Sequence, residues 1–212
     1  VMGGIVDVDM REPNTTCNGP YGEPSNEKGC FHGLAQVDLI DARMLVQGPL
    51  PIDGWSFAVG GRRSWVDAWL KPVLREAGAS VTTAPVYYDY QAIVENKPTK
   101  TSRFALRFFG SDDRLEVLIE NPAAQDPGAF GGNLRFGTSF FRVHALLEAD
   151  LTSAISSATL LSYGQDKAGF GLGRFRFDAT THTIQARHEF SFRFAKWIQL
   201  NAGIDFQIAP VE

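Results

Sequence analysis

The stretch Ile184-Gln185-Ala186-Arg187-His188-Glu189-Phe190-Ser191-Phe192-Arg193-Phe194, followed by Ile198-Gln199-Leu200-Asn201-Ala202-Gly203-Ile204-Asp205-Phe206-Gln207-Ile208, decides the fold. In the first run Ile184, Ala186, His188, Phe190, Phe192 and Phe194 fall on one side, and Gln185, Arg187, Glu189, Ser191 and Arg193 on the other. In the second, Ile198, Leu200, Ala202, Ile204, Phe206 and Ile208 oppose Gln199, Asn201, Gly203, Asp205 and Gln207. A period of two means strand, because successive side chains point to opposite faces of a sheet. Only Ala195-Lys196-Trp197 separates the runs, so they predict an antiparallel hairpin. Each run is about twice the usual globular strand of ~5–6 residues and close to the ~9–11 that cross a bilayer when tilted. One apolar, aromatic face and one polar, charged face is the pattern of a membrane-spanning barrel strand.

Composition agrees with β structure. The chain of 212 residues holds 16 Phe and 21 Gly, and few long helix-forming runs. Its net charge is −4 with the signs interspersed, so no basic patch points to nucleic acid. No run approaches the ~18 apolar residues of a transmembrane helix, which leaves strands as the means of crossing a membrane. No signal peptide stands at the start. Val1-Met2-Gly3-Gly4 reads like the interior of a longer protein, so a fragment or mature segment is expected.

In chain order, Gly3 to Arg11 is a short alternating strand led by two glycines. A Gly/Pro/Asn-rich stretch carries Cys17 and Cys30. A disulfide between them would close a short loop, add ~3 kcal/mol and imply an oxidising compartment. Two unpaired thiols in a loop are the alternative; no zinc site is expected without further Cys or His nearby. Alternation returns at Ala35–Leu39 and changes phase by Ala42, which places a turn near Ile40-Asp41. Further strands are expected around Trp55–Gly60, Tyr88–Val94, Phe104–Phe108 with its continuation Leu115–Ile119, Phe141–Ala149 and Thr159–Tyr163. Ser64–Gly78 has helical spacing, broken or begun at Pro72. Val81–Pro85, Gly110–Asp113 and the glycine-rich Gly164–Gly173 read as loops. Short connections near Pro51, Thr99, Ser153 and Lys196 alternate with long ones at Lys71–Pro85, Asn121–Asn133 and Gly164–His182. That rhythm matches outer-membrane barrels, whose turns are short on one side and whose loops are long on the other.

No catalytic or metal-binding set emerges, and no enzyme activity or cofactor is expected. His32, His144, His182 and His188 are scattered; His188 falls on the apolar face and His144 on the polar one. Asp112-Asp113 offers too few oxygens for calcium. Gly169–Gly173 has phosphate-loop composition without the Lys-Ser/Thr or the following helix. Trp65, Trp69, Tyr87, Tyr88 and Tyr90 suggest an aromatic girdle at a membrane interface.

The strand Gly3-Gly4-Ile5-Val6-Asp7-Val8-Asp9-Met10-Arg11 resembles the last plug strand of TonB-dependent outer-membrane receptors. The succession Asp38–Ala42, Gly48-Pro49-Leu50, Gly60–Trp65, Tyr87–Gln91 and Gly110–Asp113 is similar to the first barrel strands of that family's larger members. The resemblance implies an all-β, antiparallel transmembrane β-barrel, here about nine strands of a larger, possibly 22-stranded one. It implies residues 1–12 as the end of a plug, 13–32 as a Cys-containing loop and 33–212 as the first part of the barrel. It also implies a Gram-negative outer-membrane location, the lipid bilayer as partner and import of a scarce ligand such as an iron chelate or cobalamin. TonB would act through a segment not present here. No ligand-binding residue carries over, because the family's outer loops vary. A passive porin or structural barrel, and a soluble ligand-binding β-barrel with its apolar face inward, are the alternatives. The last would bury Phe190, Phe192, Phe194, Ile204 and Phe206 in a common core.

Overall fold

A computed structural model of the protein describes residues 10–18, 24–77, 81–119 and 134–211. Two short strands, β1 (Thr16–Asn18) and β2 (Pro24–Lys28), pair with each other. Nine more form one antiparallel sheet: β3 (His32–Val37), β4 (Asp41–Pro49), β5 (Trp55–Ser64), β6 (Val81–Thr99), β7 (Ser102–Ile119), β8 (Leu134–Asp150), β9 (Ile155–Leu172), β10 (Phe175–Ala195) and β11 (Ile198–Ile208). Each strand pairs with its neighbours in sequence, and the sheet is open, with β3 and β11 at its edges. One helix, α1 (Val66–Glu76), joins β5 to β6, and Pro72 sits inside it rather than breaking it.

The register makes the two faces chemically distinct. One row runs Gly33, Val46, Val59, Ala92, Phe108, Val143, Tyr163, Ile184 and Ile208, one residue from each of the nine strands. The neighbouring row on the opposite face runs His32, Gln47, Ala58, Ile93, Arg107, His144, Ser162, Gln185 and Gln207. A slip of one residue in any strand would exchange its two faces, so nine matched strands specify the register strongly.

Burial falls on the unexpected side for a water-soluble sheet. The buried side chains of the sheet, Ala58, Ser64, Ile93, Glu95, Ala105, Ser111 and Ser162, all lie on the polar face. In the inner strands the apolar face is the open one: Val59 is 50% exposed, Leu147 52% and Leu161 53%, whereas the edge strand β11 is exposed on both faces. A single-layer sheet buries one face without a second layer only by curling toward it. Ala and Ser at the crowded concave positions suit that curvature. Phe194 is exposed and Phe190 and Phe192 are half-buried, so these rings do not share a core.

The strands outrun the alternating segments seen in the sequence. Val81–Pro85, Gly110–Asp113 and Gly164–Leu172 are not loops but parts of β6, β7 and β9, because ladder hydrogen bonding continues after apolar alternation stops. The expected long connection Gly164–His182 is thus a two-residue turn, Gly173-Arg174, between two long strands, with Gly173 at φ 59°. Residues 121–133 and 3–9 lie outside the described residues, while Met10 and Arg11 are not in a strand. The four connections at one end, residues 50–54, 100–101, 151–154 and 196–197, are all short, as expected. The turn near Ile40-Asp41 is also present, built on Asp38, whose Oδ1 accepts the N–H groups of Ile40 (2.8 Å) and Asp41 (2.9 Å). Those two donors hold the Asp38 carboxyl below its usual range.

Gly110 marks the tightest backbone approach in the middle of the sheet. A Cβ there would run into the Phe140 carbonyl and the Tyr90 ring, whereas one at Gly137 would find its nearest neighbour at 3.8 Å. Gly110→Val should therefore destabilise the folded protein by about 1–3 kcal/mol, and Gly137→Val should stay within about 0.5 kcal/mol. Urea unfolding midpoints of the two variants check this; equal midpoints would contradict the packing described.

Candidate functional site

The chemistry collects on the concave, polar face, where residues 10–16 lie against the sheet. Glu12 is ion-paired with Lys97 of β6 and, at 3.4 Å, with Arg103 of β7. The Asn14 N–H donates to Gln47 Oε1 at 3.0 Å, and the Thr16 carbonyl accepts from His32 Nε2 at 2.7 Å. Behind Glu12, Arg103 donates to buried Glu95 (2.8 Å) and to Glu148 of β8 (3.2 Å), and Lys97 lies 3.2 Å from Glu95. Removing one member of such a cluster leaves a poorly solvated charge, so its members depend on one another. The hydrogen bond from Lys97, with the charges of Arg103 and Lys97, holds the Glu12 carboxyl below its usual range against the opposing effect of burial.

Further along the same face Met10 borders a cavity of about 570 Å³. Leu34, Leu45, Phe109 and Phe140 give it apolar walls, and Arg43, Arg62 and Gln91 give it donors. Such a mixture holds either a polypeptide segment or a small molecule with apolar and acceptor groups. Nearby, Arg107 Nε is buried with no hydrogen-bond partner among the described residues. Toward the helix end, Arg62 grips Asp89 (2.7 Å) and stacks 4.7 Å from the Tyr87 ring, whose hydroxyl donates to Asp41 (2.9 Å). The indole N–H groups of Trp65 and Trp69 donate to the carbonyls of Asp38 (2.7 Å) and Leu39 (2.9 Å), fixing α1 to the β3–β4 turn.

Cys17 and Cys30 are joined by a disulfide, with their Cα atoms 5.1 Å apart. The bond ties residues 10–18 to the start of β3, so it anchors the segment that carries Glu12. The four histidines do not converge. His144 packs edge-on to Phe109 at 5.1 Å on the polar face, and His188 bonds Thr159 at 2.8 Å on the apolar one. Asp112 and Asp113 point to opposite faces, toward Arg114 and Ser111 respectively. Of the aromatic girdle, Tyr88 and Tyr90 lie on the apolar face, but Tyr87 turns to the concave side. Among the described residues no group of three or more His, Cys, Asp or Glu comes together in a way that would hold a metal.

No protein-family model, curated protein or solved structure matches the chain.

The cluster of Glu12, Glu95, Lys97, Arg103 and Glu148 was not singled out from sequence. Four of its members flank short turns on the polar side of β6, β7 and β8, a signal that period-two counting makes available. Glu12 lies far away along the chain, and no local pattern connects it to Lys97.

Two outcomes follow. The native protein should take up no iodoacetamide until it is reduced, and two adducts afterwards, by intact mass. The lowered Glu12 carboxyl means that seating of residues 10–16 is favoured above the ordinary value near 4.5 and fades as pH falls through the lowered one. Hydrogen exchange of residues 11–16, corrected for intrinsic rates, should therefore accelerate severalfold between pH 7 and pH 3. Glu12→Gln should show the faster behaviour at both.

Proposed function

We propose that the nine-stranded sheet is part of the wall of an outer-membrane β-barrel, its apolar face toward lipid and its concave face lining an aqueous interior. The observation that carries this reading is the largely exposed apolar row that crosses all nine strands in register, opposite a face that holds the buried side chains of β5, β6, β7 and β9. An apolar surface of that extent is costly in water. Its height also suits a bilayer: about 11 residues of β10 at ~3.3 Å each, tilted ~40°, span roughly 28 Å. In lipid, unpaired backbone groups at the edges β3 and β11 would cost several kcal/mol each, so this reading requires further strands alongside both.

Within that class we infer an import receptor of the TonB-dependent type rather than an open pore. What supports it is the segment 10–16, held on the lumenal side by Glu12 and Asn14 and anchored by the disulfide. A chain that enters the interior beside its own first strands is expected where a plug fills the barrel, and a porin has no need of it. The ligand would be a scarce solute, such as an iron chelate or cobalamin, and the work would come from TonB.

Leu161 gives the sharpest test of the membrane reading. It is 53% exposed, so Leu161→Arg should be nearly neutral if the face meets water. In a bilayer the same change should cost about 2–4 kcal/mol, and Gln207→Lys on the polar face should cost little. Folding into vesicles, followed by flotation and urea titration, separates the outcomes; recovery of the wild-type chain in the soluble fraction without detergent defeats the proposal. Uptake of labelled ferric chelates or cobalamin that stops when the proton-motive force is collapsed supports the importer, and uncoupler-insensitive permeation supports a porin.

A further inference from the structure

The apolar face does not end in bare strand at the end bearing α1. Beyond Phe141 and Tyr163 it continues as three further rows on β7 to β10. The first runs Asp112, Ser139, Lys167, Thr180; the second Arg114, Gly137, Gly169, Asp178; the third Glu116, Arg135, Gly171, Arg176. The glycines at the centre leave no side chains there, and a cavity of about 820 Å³ at this level is lined by the flanking charges together with Leu115, Phe136, Phe170 and Phe175 of the alternate positions. The three arginine side chains are 69%, 68% and 79% exposed. Each is oriented by one carboxylate: Arg114 by Asp112, Arg135 by Glu116 and Arg176 by Asp178. Arg135 and Arg176 use only Nε for this, which directs both terminal nitrogens of each guanidinium away from the carboxylate. Exposed pairs of this kind contribute little stability, so the acids serve to hold the guanidinium groups in place.

We propose that this groove receives the phosphorylated headgroup of an outer-leaflet glycolipid whose acyl chains lie on the apolar rows below. The inference rests on the membrane reading above and adds to it a specific lipid. Guanidinium groups match phosphate oxygens bidentately. With Lys167 the rows carry four cations against three carboxylates already engaged with arginine. The glycine floor gives a sugar ring room to approach the sheet, and the continuity of the groove with the apolar rows favours a lipid over a free anion.

The experiment uses the full chain, folded in vesicles of zwitterionic lipid and extracted in neutral detergent. The probes are a bisphosphorylated acyl-glucosamine disaccharide (lipid A) and the same lipid without its phosphates, with bound lipid counted by native mass spectrometry. The wild-type chain should prefer the phosphorylated lipid at least tenfold, and millimolar inorganic phosphate should not displace it. R114Q/R135Q/R176Q should abolish the preference. G137L/G171L, which keeps every charge but fills the groove, should lower binding severalfold; a Cβ at either site meets nothing closer than 3.7 Å, and an unchanged urea midpoint shows that the variant is folded. Equal binding of the two lipids, a preference that survives in the arginine variant, or ready displacement by phosphate each overturns the lipid site while leaving the barrel intact. Failure of the wild-type chain to enter vesicles removes the membrane reading and this site together.

Discussion

Everything in this molecule depends on one constraint: a single hydrogen-bonded layer carries all the long strands, and among the described residues no second sheet covers either face. In an ordinary sandwich the apolar faces of two sheets meet about 10 Å apart and hide each other. Here the nine strands pair only with their chain neighbours, and α1 packs at one end. The apolar rows therefore have no protein among the described residues to lie against. What meets that face therefore sets how the whole sheet is solvated.

The concave side answers a different requirement. Curling brings the polar side chains together, so their charges are partly dehydrated and must be matched. Arg103 does this between Glu95 and Glu148, with Lys97 and Glu12 completing the set. Small residues occupy the most crowded positions, and Ala105 is fully buried. The matched cluster also gives residues 10–16 a place to rest on the sheet. Glu12 is half-exposed, so its ion pairs are weak enough to release.

The two ends of the sheet differ for a sequence reason. Four tight connections crowd one end, while α1 and the extended hairpin of β9 and β10 lie at the other. The extension passes beyond the apolar rows and trades Phe, Leu and Ile for Arg, Asp, Lys and Gly on the same face. That change of chemistry along one strand face is what a boundary between hydrocarbon and headgroups would require.

The nine strands of the sheet and the hairpin at Lys196-Trp197 were legible because alternation is local: each side chain's face follows from its parity. The turn at Asp38–Asp41 was legible for the same reason, since a change of phase needs a break. The pair β1 and β2 was not, since the stretch 13–32 read as a loop and shows no apolar alternation. Nor were strand ends. Gly110–Asp113 and Gly164–Leu172 lose their apolar alternation yet stay in the ladder, because backbone hydrogen bonds with a neighbour do not need hydrophobic side chains. The cysteine spacing left both pairing and free thiols open, and the fold closed that question by bringing the two Cα atoms within bonding range. By itself, then, the sequence determined which residues share a face. Only the tertiary structure decided that the apolar face is the open one, that Glu12 meets Lys97 and Arg103, and that three arginines border one groove. Those outcomes depend on curvature and on contacts between distant segments, which no period in the chain encodes.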